Sequence, residues 1–376
     1  MRVALIHYWL INWRGGEKVL RAIADLYPEA DIFTHVADPE IVKQGFPNRN
    51  VSTTFIGRLP FAKRFYQRYL PLMPLALEQL DLRRYDLVIS SEAGPAKGVL
   101  VSPHTTHVCY CHSPMRYVWD MYHDYHEHSG PMTRMLMGPL LHYVRLWDQT
   151  SAQRVDRYVA NSQFVAKRIE KYYRRSSDVI YPPVAIDSFD ASQPAEDFYL
   201  SVGQLVRYKR IDLLVEAFNQ LQRRLVVIGD GDMLPALRRM AKPNVQLLGR
   251  QSFEIIRSYY SRCRALVFPG IEDFGMVPVE AMASGKPVIA FSQGGVRESV
   301  IDGLSGLLFH EQTPDAVMDA VMRFESVEGD FDRQAIRSHS RQFSEQTFKD
   351  RFRKFLADLG VAGRPEAIFP RVRKAR

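Results

Sequence analysis

Three cysteines in 376 residues (Cys109, Cys111 and Cys263) are too few, and odd in number, for a disulfide framework. A reducing cytosol is the expected setting. No apolar run reaches the roughly eighteen residues that a membrane-spanning helix needs. The apolar stretch 3–6 behind Met1-Arg2 is also too short for the core of an export signal, which again leads to a cytoplasmic expectation. Low-complexity tracts are missing, as are helix-turn-helix, RNA-binding and zinc-finger signatures, so no nucleic-acid partner is expected. Cys109-Tyr110-Cys111-His112 has no second pair of ligands to complete a metal site. Alternate residues of a strand are the simpler reading. His123, His126 and His128 are read in the same spirit as a polar loop.

What is present is a globular composition, 46% hydrophobic and 24% charged, and enough length for two domains. The net charge of +8 is uneven: residues 1–181 carry 23 Lys and Arg against 17 Asp and Glu, the remainder 27 against 25. A basic N-terminal half suits an anionic lipid surface or a phosphorylated ligand.

Strand and helix patterns alternate along both halves. Residues 2–9 read as a strand, Gly15-Gly16-Glu17 as a turn and 18–26 as a helix; 87–90, 98–101, 108–111, 155–160 and 179–181 continue as strands. After Pro182-Pro183 the strands are 198–202, 225–228, 245–248, 265–268 and 287–291, with helices at 212–221, 233–241, 252–262 and 277–283. This period implies α/β architecture: two doubly wound parallel sheets joined near 181–183. Ligands of such sheets collect at the carboxyl ends of strands, so the loops 15–17, 112, 203–209, 229–231 and 268–280 are expected to line one cleft.

The stretch 268–280 is the most telling of these. Glu272 and Glu280, eight residues apart, bracket a glycine turn between a buried strand and a helix start. Gly275, Met276 and Val277 there offer free backbone N–H groups to an anion such as a diphosphate. Pro278 fits the first helical turn, where its missing donor costs nothing. A diphosphate flanked by two carboxylates implies hydroxylated groups on either side of it, as in a nucleotide sugar. As solvated helix-end charges the two glutamates would need no ligand at all. A glycosidase acid–nucleophile pair is the other carboxylate chemistry to weigh, and placement about a nucleotide-binding helix argues against it.

These residues resemble those of the retaining glycosyltransferases of family four, which have the GT-B fold of two Rossmann-like domains facing across a cleft. The likeness rests on Gly203-Gln204-Leu205 with Lys209, on Val227-Ile228-Gly229-Asp230-Gly231, on Glu272-x7-Glu280 running on to Gly285-Lys286-Pro287, and on Gly294-Gly295 with Glu298. Gly15-Gly16-Glu17, residues 85–91, residues 111–120 and Asn161-Ser162 are similar to a bacterial subgroup of mannosyltransferases of O-antigen and exopolysaccharide assembly. The likeness spans about residues 1–360. It implies an acceptor-binding domain at 1–181, a nucleotide-sugar domain at 182–342, a helix at 343–360 packing back on the first domain, and a basic tail at 361–376.

The resemblance also implies roles. Lys209 would neutralise the leaving diphosphate, aided by Arg207, because the family's usual arginine is replaced by Gln204, which can donate a hydrogen bond but carries no charge. Glu280 would accept the ribose hydroxyls and Glu272 a hexose hydroxyl, with Gly275, Met276 and Val277 on hexose or phosphate. His112 would contact the hexose; a helix cap or a core histidine is its plain structural alternative. Gly15 and Gly16 would let backbone approach the diphosphate, Gly229 would form the turn by the nucleotide, and Arg250 lies in the loop by the base. Glu17 reads equally as a first-turn helix charge, and Arg116 as a contact to acceptor phosphate or donor. Asp230-Gly231-Asp232 has the spelling of a metal motif from a different glycosyltransferase fold, but no metal is expected here.

The implied activity is transfer of a hexose, mannose from GDP-mannose, onto a lipid-linked glycan of a bacterial surface polysaccharide, with no cofactor beyond the donor. A sugar-nucleotide epimerase and a sugar-nucleotide-binding homologue without catalysis are the alternatives. Residues 55–70 carry Arg58, Lys63, Arg64 and Arg68 among aromatic residues. They read either as a contact with the anionic inner membrane or as a packed helix with a solvated basic face.

Overall fold

The computed structural model describes residues 1–127 and 130–361. The chain divides into two compact units. One comprises Met1–Ala160, Arg168–Ile180 and the chain from Lys349 on; the other comprises Asn161–Lys167 and Tyr181–Phe348.

The first unit is a seven-stranded parallel sheet of β1 (Val3–His7), β2 (Asp31–Thr34), β3 (Val51–Thr53), β4 (Leu87–Glu92), β5 (Thr106–Cys111), β6 (Arg157–Ala160) and β7 (Ser177–Val179). Its order is β3-β2-β1-β4-β5-β6-β7. Every residue of β1 and β4 is buried, the continuous pattern of a sheet covered on both faces. β2 and β3, which the sequence pattern does not reveal, are short and only half buried at that side of the sheet. From Lys349 on, the helix over residues 345–358 counts with this unit: Lys349 Nζ lies 3.0 Å from Asp25 Oδ2, and the Phe352 and Tyr110 rings are 6.4 Å apart.

The second unit is a parallel sheet of β8 (Tyr199–Val202), β9 (Leu225–Ile228), β10 (Val245–Gly249), β11 (Leu266–Phe268), β12 (Val288–Phe291) and β13 (Gly306–Phe309), ordered β10-β9-β8-β11-β12-β13. Alternate residues feed two cores. Val226, Ile228, Leu266, Phe268, Val288 and Ala290 belong to one cluster, while Leu225, Val227, Val267, Ile289 and Phe291 belong to the other. Period-two alternation into two apolar layers is what a doubly wound sheet requires. Both sheets run outward in opposite senses from one central pair, β1/β4 and β8/β11, which makes those pairs the topological switch points.

Several local expectations differ from the structure. No strand forms at 98–101. Ala96–Gly98 is instead a 3-10 turn wrapped around Lys97, which is fully buried. The Lys97 backbone N–H donates to Glu92 Oε2 at 2.6 Å and its ammonium to Glu92 Oε1 at 2.9 Å, while Asp148 accepts from the same ammonium. Asp148 is held in turn by Trp119 Nε1 at 2.8 Å and Tyr173 Oη at 3.0 Å. Nor is 55–82 one packed helix. It is a chain of short helical turns, Phe55–Arg58, Ala62–Phe65, Tyr66–Leu72 and Met73–Glu78, with Phe61 (φ 52°) between the first two and Pro71 inside the third. His123 and His126 lie in the helix Tyr122–Glu127 rather than in a loop. His128 and the tail beyond Val361 lie outside the described residues.

The lysine-centred cluster generates a stability prediction. Lys97→Met would leave Glu92 and Asp148 buried without their countercharge. Removing one partner of a buried ion pair costs about 3–5 kcal/mol. Urea denaturation followed by circular dichroism should show a loss of that order, and an unchanged midpoint would contradict it.

Candidate functional site

In the second unit, the loops leaving β8, β9, β10, β11 and β12 are knitted together by main-chain hydrogen bonds. Gly203 N donates to Ile228 O at 3.0 Å, Leu205 N to Asp230 O at 2.9 Å, and Gly229 N to Gly249 O at 3.0 Å. Gly295 N, after β12, donates to Glu272 O at 2.9 Å. The approach is close enough to fix residue identity at Gly229, where a Cβ would lie 1.7 Å from Gly203 O.

Lys209 ends the 3-10 turn Arg207–Lys209 after β8. Its Nζ is 2.8 Å from Glu272 Oε1, and the two side chains are only 17% and 21% exposed. The contact is an ion pair by distance; no hydrogen bond of ordinary angle reaches that oxygen. Two residues assigned to different parts of a ligand are thus partners in the protein alone.

Gly275, at φ +86°, is the N-cap of the helix Met276–Ala283, and no side chain caps that end. A left-handed cap favours glycine, and the uncapped first turn presents amide donors of Met276 and Val277. Glu280, one turn in, is 8% exposed, and its Oε2 accepts from Tyr260 Oη at 3.1 Å. No motif announces Tyr260. It comes from the helix Phe253–Arg262 and was missed for that reason. Gln204, Arg207 and Arg250 are exposed on the same strand-end loops, and among the described residues their side chains make no hydrogen bond or ion pair. Asp230 Oδ1 is occupied locally by Gly231 N at 2.8 Å. Among the described residues no three His, Cys, Asp or Glu side chains gather as a metal site would need.

The first unit has its own strand-end cluster, formed after β1, β4 and β5 and at the start of the helix Gly15–Ala24. His112 Nε2 is 2.9 Å from Ser91 Oγ, and burial together with nearby His7 holds the imidazole near pKa 3, hence neutral. A Cβ placed on Gly16 would lie 2.6 Å from Tyr8 Oη and 3.7 Å from both His112 Nε2 and His7 Cε1. Gly15 begins the helix beside it. Glu17 is buried, its Oε2 accepting from Arg14 N at 2.9 Å. Arg116 is half-buried in the loop after β5. His7 and Tyr8 carry no motif of their own, Ser91 ends the stretch 85–91, and the fold brings the three to His112 and Gly16.

Comparison with known proteins gives two family matches. The model described as Glycosyltransferase Family 4 matches residues 13–188, and that described as Glycosyl transferases group 1 matches residues 186–347. An uncharacterized glycosyltransferase of Methanocaldococcus jannaschii is 31% identical over 51% of this chain and 55% of its own length. The O-antigen chain mannosyltransferase RfbU of Salmonella typhimurium is 29% identical over 46% of this chain and 56% of its own. These matches therefore span about half the length of the curated relatives. Among solved structures, Alr3699/HepE of Anabaena, crystallised in complex with UDP, covers 95% of this chain and 100% of its own at 18% identity, with a TM-score of 0.70.

The strand-end lattice yields a sharp test. Gly229→Ala cannot be accommodated without moving the Gly203 carbonyl, so the loop bearing Lys209 should shift. Binding of a nucleoside diphosphate, measured by calorimetry, should weaken at least about tenfold, as expected when a positioned charge is displaced. Wild-type affinity in this variant would contradict the close approach.

Proposed function

Because the chain belongs to the glycosyltransferases, a family 4 region followed by a group 1 region on a GT-B fold, we propose that it is a retaining hexosyltransferase using a nucleotide-sugar donor. The donor of this reading is GDP-mannose, and the acceptor is a hydroxyl of a lipid-linked glycan in bacterial surface polysaccharide assembly. The observation that carries it is the Lys209–Glu272 pair beside an uncapped helix start. A cation held by a carboxylate beside free amide donors suits a phosphate flanked by a hydroxylated ring. The relative named as a mannosyltransferase supports the choice of sugar, and the solved UDP complex of a structural neighbour supports a nucleotide donor.

In this mechanism the bond from the anomeric carbon to the diphosphate oxygen breaks, and the acceptor oxygen bonds to that carbon on the same face. The acceptor proton passes to the departing phosphate oxygen, so no protein nucleophile is needed. Lys209 and Arg207 stabilise the charge that grows on the diphosphate, and the amides of Gly275, Met276 and Val277 add donors. Glu272 exchanges its ammonium partner for a hexose hydroxyl as the phosphate takes Lys209. Glu280, steadied by Tyr260, accepts the ribose hydroxyls. Gln204 and Gly229 frame the diphosphate, and Arg250 borders the base. No metal is assigned, since the cationic side chains serve its electrostatic role.

Release of nucleoside diphosphate from a panel of GDP- and UDP-sugars tests this reading, with GDP-mannose the expected donor. Lys209→Ala should lower kcat by roughly 10²–10³-fold, the usual cost of losing one stabilising donor to developing charge. Glu280→Ala should chiefly raise the donor KM. Donor turnover that survives both Lys209→Ala and Glu272→Ala would refute the assignment, and epimerised donor without acceptor would indicate the epimerase.

The acceptor reading includes a surface. Residues 51–77 contain no Asp or Glu, and Arg58, Arg64 and Arg68 are exposed there beside Phe61, which is 75% exposed. Asp38, from outside the segment, pairs with Lys63 at 3.5 Å, which leaves Arg58, Arg64 and Arg68 as the cations of this segment, and we assign them to an anionic bilayer surface, charge attraction acting together with an inserted ring. No described helix is long and apolar enough to cross a membrane, so this contact is peripheral. Flotation with vesicles containing phosphatidylglycerol should recover the protein at low salt and lose it at high salt. Arg64→Ser with Phe61→Ser should abolish recovery, and equal recovery with neutral vesicles would refute the charge term.

A further inference from the structure

His7 closes β1 with no exposed surface, and neither of its ring nitrogens makes a hydrogen bond. A buried imidazole is ordinarily partnered, so this one asks for an explanation. The nearest charged group is Glu17, 2% exposed, whose Oε1 stands 3.9 Å from His7 Nε2. That is too wide for a direct hydrogen bond. It is suited to one intervening oxygen: an atom about 2.8 Å from each would make its two hydrogen bonds at about 90°. The other carboxylate oxygen is already fixed by Arg14 N, so Oε1 is held in place.

The surroundings define what that oxygen belongs to. Tyr8 Oη, 2.6 Å from where a Gly16 Cβ would stand, fills the place of the missing side chain, with His7 Cε1 and His112 Nε2 3.7 Å from the same point. Gly16, Tyr8 and His112, which border the two buried side chains, are each partly exposed. The start of a ten-residue helix would by itself welcome an anion. Here Glu17 lies in its first turn and repels one, while His112 stays neutral. A phosphate is therefore disfavoured between His7 and Glu17. A cation is not favoured either, since no metal-type grouping occurs among the described residues. A neutral hydroxyl satisfies both sides at once: it accepts from the imidazole N–H and donates to the carboxylate.

We propose that His7 and Glu17 form a hydroxyl-binding dyad that holds one sugar hydroxyl at the β1/β4 switch point of the first unit, making them specificity-determining residues. This rests on the glycosyltransferase reading. The hydroxyl comes either from the donor hexose or from the acceptor glycan, and the chemistry of recognition is the same. His7 and Glu17 act by binding and orientation and take no part in bond cleavage.

The test compares wild type, His7→Gln and Glu17→Gln in the full chain, with singly deoxygenated donors in one arm and singly deoxygenated acceptors in the other. Wild type should reject one deoxy analogue by roughly tenfold or more in kcat/KM, because a buried donor and acceptor would be left unpaired. Both variants should lose that discrimination at one hydroxyl position and keep it at the others. The arm in which this occurs identifies the source of the hydroxyl. A uniform loss over all analogues, or unchanged discrimination, overturns the dyad. Should either variant fail to fold, the His7 ring-nitrogen resonances of the wild-type protein supply the answer. They should shift on adding nucleotide sugar or acceptor and not on adding nucleoside diphosphate alone; no shift with either overturns the proposal. A wild-type protein that turns over no nucleotide sugar overturns the parent reading as well, whereas turnover without the hydroxyl effect overturns the dyad alone.

Discussion

Parallel strands cannot be joined by a tight turn, and that constraint organises both units. Each connection must leave the carboxyl end of one strand and return over a face of the sheet. Where the winding reverses, between β1 and β4 and between β8 and β11, neighbouring strands send their chains to opposite faces and leave a gap. In the second unit main-chain hydrogen bonds tie Gly203, Gly229 and Gly249 together on one side of that gap and Glu272 to Gly295 on the other. Lys209 and Glu272 reach each other because β8 and β11 are adjacent, although 62 residues of sequence separate them. Their pairing follows from strand order before any side-chain preference.

The pairing also bears on how a charged site survives without ligand. Lys209 and Glu272 are each about four-fifths buried, and either charge alone would be costly there. Together they neutralise one another; in the proposed reading, an incoming phosphate with a neighbouring hydroxyl offers each a new partner. The first unit shows the purely structural version of the same rule. Lys97, Glu92 and Asp148 are closed in on all sides by Trp119 and Tyr173, leaving no donor or acceptor for a ligand to claim.

Legibility in the sequence followed burial. Strands such as β9 and β12, apolar throughout, stand out as continuous runs, and the helix starting at Met276 is signalled by Gly275 and Pro278. β2 and β3 did not stand out, because half-exposed strands lack such runs, and residues 98–101 looked like a strand because Val99-Leu100-Val101 is a short apolar run. At the site, glycines and the Glu272–Glu280 spacing were readable because local backbone geometry imposes them. Tyr260 and His7 were not, since each reaches its place through tertiary packing and carries no local pattern.

The two switch points share strand order yet differ in charge, and the difference decides what each can hold. At β8/β11 two cations, Lys209 and Arg207, stand near a helix start that no side chain caps, an environment made for anions. At β1/β4 the helix start carries Glu17 in its first turn, and the neighbouring His112 is held neutral by burial. The basic excess of the N-terminal half therefore does not serve its strand-end recess. It is spent partly on the exposed stretch 58–68, away from any carboxylate in its own segment. In the proposed reading one Rossmann-like unit grips phosphate and the other reads an uncharged oxygen, a division of chemistry that fits a transfer between a nucleotide sugar and a hydroxylated acceptor.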